Sequence, residues 1–227
     1  MNKRLALIAD LIRDGKGLID VGTDHGYLPV WLAEKNYSGR LLASDINPAP
    51  LASARKTASA AALEGRIEFL LCDGLELCPP EAVDTIVIAG MGGDLICRIL
   101  DRAEFCMSER YTLILQPMTK AEVLRYWLVN NGFRLVEEPL VRDGGILYQV
   151  IKAQFCENMA LSDAELFSGA FKNIQNEELC AVWLDELAAR FRKEEQGQMS
   201  ASRPDDGKLM ICRGVLRGLE EMRSKLP

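Results

Sequence analysis

The segment Asp20-Val21-Gly22-Thr23-Asp24-His25-Gly26-Tyr27-Leu28-Pro29 follows the short apolar run Gly17 to Val21 and leads into a stretch of helical period. An apolar run, a glycine turn and a helix start, in that order, predict a strand–turn–helix unit, with Pro29 suited to the first helical turn. Units of this kind build parallel α/β sheets, in which ligands bind outside the carboxyl ends of the strands. The spacing here is D-x-G-x-x-x-G. A dinucleotide fingerprint, G-x-G-x-x-G, needs glycine where Asp24 stands, because backbone must approach a pyrophosphate that a carboxylate repels. Asp20 and Asp24 instead suit a ligand that carries positive charge.

The same alternation continues outward. Arg40 to Asp45, Ile67 to Cys72, Thr85 to Ala89 and Tyr111 to Gln116 read as further strands, and Leu28 to Asn36, Pro48 to Ala62, Asp94 to Cys106 and Lys120 to Asn131 as helices. The expected fold class is α/β, a doubly wound sheet. After Gly132 the runs Arg134 to Val141 and Ile146 to Ala153 flank Arg142-Asp143-Gly144-Gly145, and Asp-Gly at a reversal predicts a terminal antiparallel hairpin. From Leu161 the pattern is helical only, with Phe167, Phe171, Ile174, Leu179, Trp183, Leu187 and Phe191 mostly three or four apart. Gly197 to Asp205 reads as a linker, and Leu209, Cys212, Leu216, Leu219 and Met222 mark a second stripe. Both stripes read as core packing in an antiparallel helical hairpin. The expected organisation is therefore a ligand-binding domain over 1–155 and a helical domain over 156–227.

At 227 residues the chain is long enough for a substantial core, and 48% hydrophobic with 26% charged residues is a globular composition. The net charge of −6 opposes bulk electrostatic coating of nucleic acid. Residues 208–227 nevertheless carry five basic residues against two acidic ones, Arg213 and Arg217 among them, four apart on one helical face. No run approaches the roughly 20 apolar residues of a membrane span. The amino end meets Asp10 too early for a secretory signal, so the reading is cytoplasmic with no membrane partner. The seven cysteines are scattered without C-x-x-C, and His25 is the only histidine, so neither a metal site nor a disulfide framework is expected.

Further acids stand at successive strand ends. Asp45, in Ser44-Asp45-Ile46-Asn47, follows the glycine turn by about 20 residues, where an acid conventionally takes the ribose hydroxyls of an adenosine cofactor. Asp73-Gly74 follows the third strand, where a carboxylate can accept from an adenine amino group. The fourth ends in Ala89-Gly90-Met91-Gly92-Gly93, glycine-rich enough to let backbone approach a ligand. Each acid alone could be a cap or turn residue. Together they point to S-adenosylmethionine, which carries an ammonium and a sulfonium and no phosphate. His25 reads as a hydrogen-bonding residue or a ligand contact, and Tyr27 and Trp31 as core.

These phrases, with Leu113-Ile114-Leu115-Gln116-Pro117, resemble those of the bacterial tRNA (adenine-22-N1)-methyltransferases, from the first helix to the hairpin near Ala153. The chain departs from some members at Met118, where they carry Asn. The resemblance implies a class I, Rossmann-like methyltransferase sheet, a coiled-coil-like helical carboxyl domain, S-adenosylmethionine as cofactor and adenine N1 of tRNA as acceptor. The cofactor residues are then Asp20, Gly22, Thr23, Asp24, His25, Gly26, Asp45, Ile46, Asp73, Gly74, Gly90, Met91 and Gly92. Gln116 and Pro117 fall to the target base, Arg213 and Arg217 to the tRNA backbone, and Asp24 is the candidate catalytic carboxylate. A module that binds S-adenosylmethionine or another nucleoside without catalysis is the alternative; a dehydrogenase is disfavoured by Asp24.

Overall fold

In a parallel sheet covered on both faces, strand residues are out of water on both sides, and the apolar runs of the chain meet that condition. Every residue of β1 (Gly17–Val21) is buried, as is β2 (Arg40–Asp45) beyond its first residue. With β3 (Ile67–Leu71), β4 (Thr85–Gly92), β5 (Thr112–Thr119), β6 (Phe133–Glu137) and β9 (Ile151–Phe155) they form one seven-stranded sheet in the order β3-β2-β1-β4-β5-β9-β6. The computed structural model describes residues 2–156, 160–170 and 176–226.

Period-2 alternation sends neighbouring residues to opposite layers. Leu18, Leu41, Val87 and Ile114 meet α1 (Lys3–Asp10), α2 (Tyr27–Glu34) and α3 (Pro48–Ala60) through Ile8, Leu28, Leu32 and Ala58. Ile19, Leu42, Ile86 and Leu113 meet α4 (Gly93–Asp101) and α5 (Ala121–Asn130) through Ile96, Leu100, Leu124 and Leu128. Cys72, Cys78, Cys97, Cys106, Cys180 and Cys212 are buried free thiols, and burial pushes those of Cys78 and Cys106 up to about 12.

The antiparallel hairpin of the sequence reading is present, with an interruption midway. The reversal is there: β7 (Leu140–Asp143) pairs with β8 (Ile146–Gln149) across Gly144 and Gly145, both at positive φ, as a type I′ turn requires. The two runs do not stay paired as single long strands, however. Proline has no N–H for a ladder, and at Pro139 the first run breaks into β6 and β7. The second run breaks at Val150, so β7 and β8 form a separate ribbon while β9 enters the main sheet antiparallel between β5 and β6.

After the sheet come α6 (Asp163–Ser168), α7 (Glu177–Met199) and α8 (Asp206–Arg223). Phe171 and Ile174 lie outside the described residues. Helix α7 runs through Met199, further than the linker reading allowed, and Asp205 caps α8 by accepting from Lys208 N–H at 3.0 Å. The two helices are antiparallel, with Leu184, Leu187 and Phe191 packed on Val215, Leu216 and Leu219. No helix among the described residues is long and apolar enough to cross a membrane.

A buried polar cluster fastens these helices to the sheet. Arg125 of α5, fully buried, donates from Nε to Glu138 Oε1 (2.6 Å), from Nη1 to the carbonyls of Leu166 (2.7 Å) and Phe167 (3.3 Å), and from Nη2 to Gln149 Oε1. Gln149 Nε2 and Trp183 Nε1 both donate to the Ser168 carbonyl, and Glu138 Oε2 accepts from Ala170 N–H. The carbonyls ending α6 thus find donors inside the protein. A guanidinium and carboxylate buried together are costly to separate: Arg125→Met should destabilise the fold by about 3–5 kcal/mol, because it strands the Glu138 charge. Urea unfolding checks this, and adding Glu138→Gln should restore part of the loss.

Candidate active site

Strand order reverses direction between β1 and β4, with β2 and β3 to one side and β5 to the other, and crevices at carboxyl ends form at such switch points. A cleft of about 340 Å³ lies there. Its walls are Asn2, Arg4 and Leu5 from the start of α1, Asp20, Gly22 to His25, Tyr27 and Leu28 from the β1–α2 turn, and Ala89 and Gly90 from β4.

The turn is held from behind and strained in front. Gly22 and Thr23 donate their N–H groups to the Ser44 carbonyl at 2.8 and 3.0 Å, tying the turn to the end of β2. Gly22, Asp24 and Gly26 all have positive φ (72°, 52° and 68°), which swings the chain out and back into α2. Gly26 is also sterically required: a Cβ there would lie 2.9 Å from Ala54 Cβ of α3, whereas one on Gly22 would meet Met91 Cε at 2.1 Å, the end of a side chain that can move aside. Asp24 adopts its left-handed conformation without glycine's freedom, a local cost that clusters at functional sites. Its exposed carboxylate stands 3.6 Å from His25 Nε2, while His25 Nδ1 is 2.7 Å from Ser53 Oγ. Tyr27 corrects its sequence reading: the left-handed Gly26 starts the helix at Tyr27, which is 53% exposed and stacks on His25 instead of entering the core.

The neighbouring strand ends line up beside this turn. Asp45 is buried with Oδ1 accepting from Asn47 N–H at 2.9 Å, and Ile46 is exposed. Asp73 pairs with Arg102 at 2.7 Å, and the Gly74 carbonyl accepts from Ser44 Oγ at 3.2 Å, linking the ends of β2 and β3. Strand β4 outruns its expected end at Ala89. Gly90 (φ 78°) forms a bulge, after which Met91 pairs with Pro117 and Gly92 with Thr119, so β4 and β5 project together as a lip. Gly93 lies against this lip so closely that a Cβ would meet the Lys120 carbonyl at 2.2 Å.

Gln116 is 1% exposed, its Oε1 accepts from Arg4 Nη1 (2.6 Å) and Gly90 N–H (3.2 Å), and its Nε2 donates to the Pro117 carbonyl (3.0 Å). With both ends of its amide engaged it acts as a strut under the lip. Pro117, by contrast, lines a groove of about 180 Å³ with Met118, Tyr148, Phe167, Trp183 and Arg190, between the lip and the carboxyl-terminal helices. Arg213 and Arg217 stand apart on α8, which supplies nothing to the cleft. Arg213 pairs with Glu195 of α7 at 2.7 Å; Arg217 is exposed. Arg4 is the residue that sequence reading missed. No local pattern marks it, since only the tertiary packing of α1, against β7 and α2, brings it to the cleft. Among the described residues no group of three or more His, Cys, Asp or Glu side chains could hold a metal ion.

Comparison with known proteins agrees with this architecture. Residues 1–151 match a family described as a methyltransferase domain. The Bacillus subtilis tRNA (adenine(22)-N(1))-methyltransferase is 32% identical over 163 residues, covering 72% of this chain and 68% of that protein. The crystal structure of the B. subtilis tRNA methyltransferase TrmK superposes with a TM-score of 0.85 at 26% identity, over 98% of both chains. A Streptococcus pneumoniae protein, Sp1610, solved in complex with S-adenosyl-L-methionine, has a TM-score of 0.82 at 29% identity, over 98% of this chain and 99% of that one.

The electrostatics of the cleft centre on Asp20. Burial pushes its carboxyl from 3.8 up to about 6, opposed by the Thr23 hydroxyl donating at 2.6 Å and by the Arg4 charge, and reinforced by Asp45. Because the folded-state value is the higher one, this group's contribution to stability is fully present below about pH 4 and is lost as pH rises through 6. Above that the carboxylate is ionised and desolvated at a cost of about 2–3 kcal/mol. Asp20→Asn keeps an acceptor for Thr23 and removes the charge. Its apo form should melt at higher temperature than wild type at pH 8, with the gap closing at pH 5, by calorimetry at both pH values.

Proposed function

The chain belongs to the tRNA (adenine(22)-N(1))-methyltransferase family, and on that premise we propose that it transfers a methyl group from S-adenosylmethionine to N1 of adenine 22 in tRNA. The observation that carries this reading is a cleft at the switch point walled by the carboxylates of Asp20 and Asp24, with more acids at the next strand ends. That charge fits a cationic adenosine cofactor and opposes a pyrophosphate. S-adenosylmethionine supplies a methyl group that is already strongly electrophilic on its sulfonium, so the protein needs no covalent nucleophile. Its work is to hold the acceptor nitrogen in line with that methyl and to exclude water.

The residues present fit the cofactor in one orientation. Asp20, a buried carboxylate with no ammonium partner among the described residues, takes the methionyl amino group; Gly22, Thr23 and Gly26 shape the turn around it. Asp45 retains one free oxygen for the ribose hydroxyls, Ile46 offers an apolar face to the adenine, and Asp73 accepts from its amino group while Arg102 holds it, beside Gly74. Across the cleft Gly90 and Gly92 present backbone, and Met91 supports Gly22 from below. His25, held by Ser53, orients Asp24 at the mouth. Methyl transfer leaves positive charge on the target adenine, and Asp24 is positioned to stabilise it and to accept from the N6 amine.

In the same reading, residues 1–155 form the catalytic domain and 156–227 the helical domain that receives tRNA. Pro117 and the groove beside it lie between the two, and Arg217 offers a phosphate contact, with Arg213 sharing its charge with Glu195. A tRNA substrate supports a cytoplasmic enzyme.

The direct test is transfer of radiolabelled methyl to tRNA by the full chain. The expected product is 1-methyladenosine, absent when adenine 22 is replaced by guanosine; cofactor binding without transfer would favour the binding module. Asp45→Ala should weaken S-adenosylmethionine binding by about 1–3 kcal/mol, with circular dichroism unchanged; equal affinity in calorimetry would remove the ribose role. Asp24→Asn should lower the single-turnover rate at saturating cofactor by about 100-fold or more. A full rate at saturation would leave Asp24 as a counter-charge only.

A further inference from the structure

An α-amino acid is a zwitterion, so a site that holds its ammonium on a carboxylate has a second charge to satisfy. In this cleft Asp20 is the buried anion, and Arg4 is the sole guanidinium or ammonium among the described residues of the walls. We propose that Arg4 binds the α-carboxylate of the cofactor's methionyl group, so that the amino-acid end is clamped between Arg4 and Asp20. This inference rests on the S-adenosylmethionine reading of the cleft and adds to it a residue from the first turn of the chain.

At the start of α1 the backbone N–H groups of Arg4, Leu5 and Ala6 are already engaged, Leu5 with Asn2 Oδ1 at 2.9 Å, Arg4 with Asp143 Oδ2 at 3.3 Å and Ala6 with the Asn2 carbonyl at 3.0 Å. The guanidinium is different. Nη1 is fixed on Gln116 Oε1, the oxygen that also accepts from Gly90 N–H, and the group lies 5.7 Å from the Tyr148 ring centroid. Those contacts hold it at the β4 wall, where a Cβ on Gly90 would lie 3.5 Å from Nη1. Its Nε and Nη2 donors have no acceptor among the described residues. A guanidinium immobilised on one nitrogen, with further donors open to a cleft, suits a carboxylate, whose two oxygens match the fork. The Arg4 charge already acts on Asp20, lowering its pKa against the pull of burial, so anion and cation share one field.

Calorimetric titration of the full-length protein separates the possibilities, using S-adenosylmethionine, S-adenosylhomocysteine and decarboxylated S-adenosylmethionine as ligands. Wild type should bind the decarboxylated compound at least tenfold more weakly than S-adenosylmethionine. Arg4→Met should weaken S-adenosylmethionine and S-adenosylhomocysteine by a similar factor of ten or more, since both carry the carboxylate, and change the decarboxylated ligand by less than twofold. Arg4→Lys should recover part of the loss. Equal weakening of all three ligands would overturn the proposal, because Arg4 would then act through Gln116 and the lip; unchanged S-adenosylmethionine affinity in Arg4→Met would overturn it as well. If Arg4→Met proves misfolded by circular dichroism, Arg4→Gln carries the same comparison. Failure of wild type to bind S-adenosylmethionine at all would instead remove the cofactor reading on which the proposal rests.

Discussion

Arg125 is buried without exposure, and its guanidinium joins three parts of the chain that are distant in sequence: α5, the segment between β6 and β8, and the end of α6. A buried charge survives only when nearly every donor is used, and here Glu138, Gln149 and two helix-end carbonyls use them. The consequence reaches the active site. Helix α5 begins directly after the β5 lip, and Tyr148, beside Arg4, is the neighbour of Gln149 in β8. The helical region is therefore anchored to β8, whose Tyr148 lies beside the Arg4 guanidinium of the cleft wall.

The lip is the second organising feature. A single positive-φ glycine, Gly90, shifts the β4 register and turns its N–H toward Gln116. Gln116 then accepts from both β4 and α1, so one buried amide fixes the relative position of strand end and amino-terminal helix. Gly93 lets the start of α4 approach the β5 end at a distance no side chain would permit. These contacts make the cleft wall from rigid elements instead of free loops, which suits a reaction that depends on alignment more than on reactive side chains.

Asp20 shows the compromise such a cleft requires. Its carboxylate is desolvated before any ligand arrives, and the fold tolerates that because Thr23 and Arg4 offset part of the cost. A cationic ligand bound there would complete the compensation and so couple binding energy to folding energy at one residue.

What the sequence by itself determined were the features set by neighbouring residues. Alternating apolar runs dictated strands and their crossovers, the glycines of the first turn and of Ala89 to Gly93 dictated close approach, and Asp143-Gly144-Gly145 dictated a reversal. The acids at successive strand ends were legible because topology puts strand ends in one place once the sheet is parallel. Only the tertiary structure decided the rest. Pro139 interrupted the hairpin, leaving β7 and β8 as a ribbon while β9, still paired with β6, also joined β5, a pairing no local pattern encodes. Gln116 became a strut because Arg4, 112 residues away, reached it. Arg125, polar in an apolar stripe, was stabilised by carbonyls of a helix 41 residues onward. In each case the deciding partner lies far along the chain, and a buried polar group's energy depends on that partner, not on its neighbours in sequence.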